Sequence, residues 1–424
     1  MNLYPHQQEA LELVKDKNRC AIYYDMGLGK TFIGSEKMYQ LKNKVNLIVC
    51  QRSKIEDWMN HFRDHYDWKV FDLTKPKQMS EFLGLSQGDR FYIIGIINYD
   101  LIWRRKELLP ITGFTLMLDE SSLITNRTAK RSKFILDMNP ENVILLSGTP
   151  TSGKYENLWS QLQLLGWYIT EDVFWKSYVD YEWVDRDGFW DKKVNGYKNV
   201  DHLKKKLSQH GAIFKKTNEV INLPEQIEQM VYIDQSANYK KFTKNSYLLL
   251  DDEVEIIGDT VLTQILGERK LCGQYSEEKL EAFQDLVEST EDRLIVFYNF
   301  TDEMLKMTKI CMELNRPTSY VNGQVKDLDA YENYDNSITF VQYQAGAYGL
   351  NLQLSNRVIY FSLPLGLGSC DLWEQSKKRI HRIGQDRTCF YYYLIVKDSI
   401  ETWNLELLRK GKDLTDELFK ERKK

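Results

Sequence analysis

Short, nearly continuous apolar runs recur along the first part of the chain: Val45–Cys50, Phe91–Ile97, Phe114–Leu118 and Asn142–Leu146. Each is closed by polar residues, Gln51-Arg52-Ser53-Lys54, Asn98-Tyr99, Asp119-Glu120-Ser121-Ser122 and Ser147-Gly148-Thr149-Pro150 respectively. A run without alternation is what a strand buried on both faces requires, and such strands separated by helical segments predict a parallel, doubly wound sheet with its site at the carboxyl ends of the strands. The rhythm returns at Arg293–Asn299, Ser337–Val341, Val358–Phe361 and Phe390–Val396, which predicts a second sheet domain. Residues 155–290 interrupt it. Their patterning is mostly helical, as from Asn157 to Leu165, and they carry Trp159, Trp167, Trp175, Trp183 and Trp190, the run Lys204-Lys205-Lys206 and the pair Lys215-Lys216. This stretch reads as inserted helices and a connector through Asn222-Leu223-Pro224-Glu225. Its aromatic residues read as core before nucleobase platforms, and its lysines as a solvated face.

Composition narrows the class. With 424 residues, 42% hydrophobic and 13% aromatic, the chain has material for several sizeable cores, and its net charge of −4 excludes a bulk basic excess, so any positive surface for nucleic acid is local. The six cysteines form no C-x-x-C pair and read as reduced and structural, with neither a disulfide nor a structural metal. The start, Met1-Asn2-Leu3-Tyr4-Pro5-His6, lacks a basic and apolar leader, and no apolar run approaches the ~20 residues of a membrane span, so a cytoplasmic protein without membrane contact is expected. The tail Phe419–Lys424 reads as a solvated helix end.

The chemistry gathers at Asp25-Met26-Gly27-Leu28-Gly29-Lys30-Thr31, after an apolar run and before a helical pattern. A Gly-rich turn ending in Gly-Lys-Thr lets backbone N–H groups close around a triphosphate, with Lys30 on its oxygens, the Thr31 hydroxyl on Mg²⁺ and the helix N-terminus favouring the negative charge. The strict pattern asks for Gly where this chain has Tyr24. Asp119 and Glu120 complement the loop, because Mg²⁺ needs a second anchor and hydrolysis a base for the water; Asp119 is assigned to the metal and Glu120 to the water. Gln7, just upstream, can donate to and accept from an adenine edge. Arg379 and Arg382, three apart on an expected helix, share a face from which both could reach one phosphoryl group.

This series resembles the SWI/SNF-type DNA translocases of helicase superfamily two. The matching stretches are Leu3–Gln7, Asp25–Thr31, Leu47–Trp58, Asn98-Tyr99, Asp119-Glu120, Ser147–Pro150, Leu223-Pro224, Ala345–Leu352 and Gln375–Gln385, the last, Gln-x-x-x-Arg-x-His-Arg-x-Gly-Gln, being the most specific. Met26–Thr31 is the family's form of the phosphate loop, without the first Gly. The resemblance implies two RecA-like P-loop NTPase lobes with parallel doubly wound sheets and helical insertions, ATP and Mg²⁺ as ligands, and ATP-driven tracking along double-stranded DNA without strand separation. By position it gives Gln7, Gly27, Gly29, Lys30, Thr31 and Gly349 to the nucleotide, Thr31 and Asp119 to the metal, and Lys30, Glu120, Gln375, Arg379 and Arg382 to catalysis. Arg52, Ser53, Lys54, Asn98, Tyr99, Asn299, Gln344 and Asn351 fall near the DNA-tracking loops.

The division that follows is 1–155 for lobe one, 156–222 for a helical protrusion and connector, 223–290 for a linker strand and second helical protrusion, 291–396 for lobe two and 397–424 for a C-terminal helical brace. The expected partner is double-stranded DNA, with another DNA-processing protein left open, and the expected state is a monomer. Two departures stand out. Ser121-Ser122 occupy the place of the family's Ala-His, so coupling to Ser147–Pro150 should be arranged differently, and Gln342-Tyr343-Gln344 replaces the Ser or Thr that precedes Ala345. With no added module, the chain reads as a bare motor of bacterial or phage type. A strand-separating DNA or RNA helicase and a nucleic-acid-binding scaffold with a lapsed ATPase are the alternatives.

Overall fold

The computed structural model describes residues 3–88, 91–151, 154–186, 189–220, 222–250, 254–343, 350–366 and 369–409. The chain divides into two compact units, Met1–Asn222 and Leu223–Lys424. Each is an α/β lobe built on a seven-stranded sheet.

In the first lobe the strands β1 (Arg19–Tyr24), β2 (Val45–Cys50), β3 (Lys69–Asp72), β4 (Ile93–Asn98), β5 (Phe114–Asp119) and β6 (Asn142–Leu146) are joined by a late strand, β9 (Ala212–Lys215), in the order β3-β4-β2-β5-β6-β1-β9. Every pairing is parallel. The apolar runs lack alternation because both faces are covered. Along β6, Val143 and Leu145 enter one core with Phe82, Phe134 and Leu162, while Ile144 and Leu146 enter another with Met38, Trp58 and Phe62. Helices α1 (Pro5–Leu13), α2 (Lys30–Leu41) and α3 (Ile55–His65) supply residues to the second core. Since the chain leaves β1, β5 and β6 at neighbouring carboxyl ends, Asp25–Gly29, Asp119-Glu120 and Ser147–Pro150 converge.

The second lobe has β10 (Gln226–Ile233), β13 (Leu294–Tyr298), β14 (Thr318–Val321), β15 (Lys326–Asp327), β16 (Ile338–Gln342), β17 (Arg357–Tyr360) and β18 (Cys389–Val396) in the order β10-β18-β17-β13-β16-β14-β15. Within this sheet β14 and β15 pair antiparallel, and the other pairings among the described residues are parallel. Here too alternate residues diverge, with Leu294, Val296 and Tyr298 in one core and Ile295 and Phe297 in the other.

The inserted regions hold hairpins that the expected helical protrusions, connector and linker strand do not include. Residues 156–222 hold an antiparallel hairpin, β7 (Val179–Arg186) with β8 (Phe189–Tyr197), and end in β9, which completes the first sheet beside β1. A second hairpin, β11 (Tyr247–Leu250) with β12 (Val254–Ile257), lies within 223–290. The helix Glu277–Glu288 is no protrusion, because its Phe283 and Val287 are fully buried in the core that contains Leu294 and Val296. Among the described residues no helix is long and apolar enough to cross a membrane.

Candidate nucleotide site and its surroundings

The phosphate loop begins one residue later than the strict pattern assumes. Tyr24 is the last residue of β1, buried and in register with Lys215 of β9, so it belongs to the sheet and needs no glycine's freedom. The turn follows, with Gly27 at φ +87° and Gly29 at φ +72°, the left-handed region that a side chain disfavours. At Gly29 a Cβ would also lie 2.1 Å from Gln7 Nε2. Lys30 opens α2, and its Nζ donates to the carbonyls of Tyr24 at 2.9 Å and Asp25 at 3.3 Å, which places the ammonium at the mouth of the loop. Thr31 is next on the helix, among the N–H groups that have no partner within it. From the other side, Asp25 Oδ2 accepts from the N–H and hydroxyl of Thr217, pinning the loop to the segment after β9.

Gln7 is buried against this loop. Its Oε1 accepts from Tyr4 N–H at 2.9 Å and its Nε2 approaches Leu28 O at 3.4 Å, while a ring nitrogen of His6 lies 3.0 Å from the same carbonyl.

Asp119 ends β5 and Glu120 follows at φ +57°, a left-handed conformation that costs a non-glycine residue roughly 1–2 kcal/mol and is tolerated where the surroundings impose it. The constraint is visible: Tyr99 donates its hydroxyl to the carbonyls of Asp119 at 2.9 Å and Glu120 at 3.3 Å, and Leu123 N–H takes the Glu120 carbonyl at 3.0 Å. Burial pushes the Asp119 carboxyl up; a hydrogen bond from Trp58 Nε1 to its Oδ2, at 2.8 Å, and then the charges of Lys54 and Lys30 oppose that rise. Ser147 Oγ lies 3.4 Å from Glu120 Oε2, and a Cβ at Gly148 would come 3.5 Å from Lys30 Nζ. Thus Lys30, Thr31, Asp119 and Glu120 stand at or shortly after the carboxyl ends of β1 and β5, the two strands that flank β6. Two anchors, Asp119 and Thr31, around a phosphate cradle suit Mg²⁺, which is held by few carboxylates and by substrate phosphates.

In the second lobe, Gln375 lies on the helix Ser369–Lys377, buried, with its Oε1 lacking a protein hydrogen bond among the described residues. The helix ends at Lys377, so the expectation that Arg379 and Arg382 share a helical face is corrected: they lie in the turns beyond it. They converge all the same, since Nη1 of each approaches Leu350 O, at 3.3 and 3.4 Å, and Arg382 also donates to Asn351 Oδ1. Other residues of the same motif are struts. His381 meets Pro224 O at 2.8 Å, and buried Gln385 donates Nε2 toward the carbonyls of Gln353, Ser355 and Ile380.

The expected DNA-tracking residues separate into two groups. Arg52 and Ser53 are exposed on the short 3₁₀ turn Arg52–Lys54, where Lys54 pairs with Asp57 at 2.7 Å, and Asn351 is exposed. Tyr99 is placed otherwise: it is 2% exposed with its hydroxyl committed to the backbone behind Glu120, so it is a support for the site and no surface contact. Asn98 is buried beside it, and Asn299 spends its amide on Ser362 Oγ and Leu363 O. Gln344 and Gly349 lie outside the described residues. Two residues that the motif reading gave no role, Trp58 and Gln161, touch the site directly or through one hydrogen bond. For Gln161 the one available signal was an amide within an otherwise apolar helical face.

Residues 6–277 match the SNF2-related domain. The chain belongs to that family. It is 22% identical over 95% of its length to a SWI/SNF-related matrix-associated actin-dependent regulator of chromatin subfamily A-like protein 1 of Xenopus tropicalis, covering 43% of it. It is 25% identical over 93% of its length to the putative ATP-dependent helicase/translocase YwqA of Bacillus subtilis, covering 46% of it. The chain therefore spans less than half the length of these relatives. A solved structure described as the Sulfolobus solfataricus SWI2/SNF2 ATPase core in complex with dsDNA aligns over 97% of this chain and 91% of its own, with a TM-score of 0.45 and 20% identity.

Proposed function

We propose that this SNF2-family chain is a DNA-stimulated ATP hydrolase that translocates along double-stranded DNA without separating its strands. The observation that carries the hydrolase reading is that the ends of β1 and β5, either side of β6, bear Lys30 at the mouth of a left-handed glycine turn, Asp119 within reach of its charge and Glu120 held in a strained conformation. In this reading Lys30 and the α2 N-terminus bind the phosphates, and Thr31 and Asp119 hold Mg²⁺. Glu120 takes the proton of the attacking water, and Gln7 reads the adenine. Gln375, Arg379 and Arg382 are assigned to the γ-phosphate, the two arginines by their charge and Gln375 by hydrogen bonding from its neutral amide, as phosphoryl transfer requires. Family membership supports the assignment to DNA, and the exposed Arg52, Ser53 and Asn351 are the residues offered for contacts to its backbone.

Phosphate release from the full chain, with duplex DNA, single-stranded DNA, RNA or no nucleic acid, tests this. Turnover should rise most with duplex and be lost in Lys30→Ala and Glu120→Gln while melting temperatures stay near that of the unmodified chain. Unchanged turnover in either variant overturns the assignment. Efficient separation of a fluorescent duplex would replace translocation by unwinding, and absent turnover would leave a binding scaffold.

A further inference from the structure

Gln161 lies in the helix Trp159–Leu164, is fully buried, and belongs to none of the motifs that define the nucleotide site. Its Oε1 accepts from Ser121 Oγ at 2.8 Å and from Tyr23 OH at 3.0 Å, and its Nε2 donates to Pro150 O at 2.7 Å. A primary amide has two acceptor lone pairs and two donor hydrogens, so three of its four bonds are made, each to a different segment. Burial raises the Tyr23 phenol, which keeps it a protonated donor.

Each of these segments carries one working part of the site. Tyr23 is in β1, which leads into the phosphate loop. Ser121 follows Glu120 and is itself fully buried. Pro150 closes the loop whose Ser147 approaches Glu120 and whose Gly148 lies beside Lys30. The partners are 138, 40 and 11 positions from Gln161, so local chain geometry does not hold them in register. Apolar packing alone would fill this space without fixing orientation, whereas an amide with three directed hydrogen bonds sets both distance and direction.

We propose that Gln161 is a positioning residue that ties Glu120 and the Ser147–Pro150 loop to the phosphate loop through one buried amide, doing in this chain the coupling for which Ser121 and Ser122 offer no long side chain. This rests on the hydrolase reading above.

Steady-state phosphate release from the full chain with saturating duplex tests it, using Gln161→Leu, the triple variant Tyr23→Phe/Ser121→Ala/Gln161→Leu and Gln161→Glu. Gln161→Leu should lower kcat about tenfold or more with the KM for ATP within about twofold, the pattern of a group displaced from its transition-state position. It should also melt lower, because two hydroxyls and a carbonyl lose a buried partner. The triple variant removes the orphaned hydroxyls, so its melting temperature should recover while kcat stays low. Gln161→Glu keeps acceptors for Tyr23 and Ser121 but, when ionised, has no donor for Pro150 O, and should also be slow. Recovery of kcat together with stability in the triple variant would reduce Gln161 to a packing role, and unchanged kcat in Gln161→Leu would also overturn the proposal. Absence of turnover in the unmodified chain would instead remove the hydrolase reading on which it rests.

Discussion

Removing the Trp58 indole donor should shift the pH at which the site becomes active. Trp58 is 2% exposed on α3, donates to Asp119 Oδ2 at 2.8 Å and stacks on Phe62 at 6.1 Å between centroids. Trp58→Phe retains a ring against Phe62 and deletes the donor. Burial already raises the Asp119 carboxyl, and the Trp58 hydrogen bond is the largest influence opposing it. A hydrogen bond to a charged group is worth about 1.5–3 kcal/mol. At about 1.4 kcal/mol per decade, its loss favours the protonated carboxyl by roughly another ten- to hundredfold. The sign follows from the proposed role: to hold Mg²⁺, Asp119 would have to be ionised, so a further rise would lower the competent fraction at any given pH from the acid side. Phosphate release with duplex DNA, followed from weakly acid to alkaline pH at subsaturating Mg²⁺, should show the acid limb moved to higher pH and the alkaline plateau largely kept. A limb that stays in place while the rate falls equally at every pH would refute the reasoning and leave Trp58 with a packing role.

Two further predictions concern stability. In the second lobe Lys279, with a fully buried side chain, meets both Glu401 oxygens at 2.6 and 2.7 Å, and Glu401 Oε2 also takes Val396 N–H at 3.1 Å. Lys279→Met strands that carboxylate at a cost of about 3–5 kcal/mol. Calorimetry should show a transition lowered by roughly 10 °C, with more than half regained in Lys279→Met/Glu401→Leu; equal melting of the single variant and the unmodified chain would refute it. In the first lobe burial, helped by His65, pushes the His61 imidazole down from 6.5 to about 4. The ring is neutral when folded and takes up a proton on unfolding, so its contribution is fully present above about pH 6.5 and lost as pH falls toward 4. Because His61 is only half-buried, the loss should be on the order of 1–2 kcal/mol, and His61→Gln should flatten that part of the stability–pH curve measured by denaturant unfolding.

The strands that sequence patterning finds are those buried on both faces. Val45–Cys50 and Asn142–Leu146 coincide with β2 and β6 because a strand in mid-sheet has no polar face to confuse its period. Strands β3, β9 and β14 escape it: they are short, lie at or next to a sheet edge, and place residues such as Lys69, Lys215 and Thr318 within a four-residue run. The hairpin Val179–Tyr197 alternates acids and lysines with Trp and Tyr, and its apolar side packs only partly, as 56% exposure of Trp183 and 69% of Trp190 attest. Motif spacing singles out Lys30, Asp119 and Glu120, the residues proposed for the nucleotide, because each stands at or shortly after a strand end. It misplaces Tyr99 and misses Gln161 because both act through contacts many positions away, which a linear pattern does not contain.

The two sets of cations rest in comparable ways, which bears on how the proposed cycle divides between lobes. Lys30 directs its ammonium at two backbone carbonyls, and Arg379 and Arg382 both approach that of Leu350. A carbonyl dipole is a weaker partner for a cation than a phosphate oxyanion, so exchanging one for the other favours the nucleotide. In the proposed reading the parts for ATP binding, the glycine turn and Glu120 held by Tyr99, all lie within residues 1–222. Hydrolysis asks in addition for charge on the γ-phosphate, and the arginines assigned to it belong to residues 223–424. Arg379→Ala should accordingly retain ATP binding while losing turnover, and a variant that fails to bind nucleotide would remove Arg379 from that role.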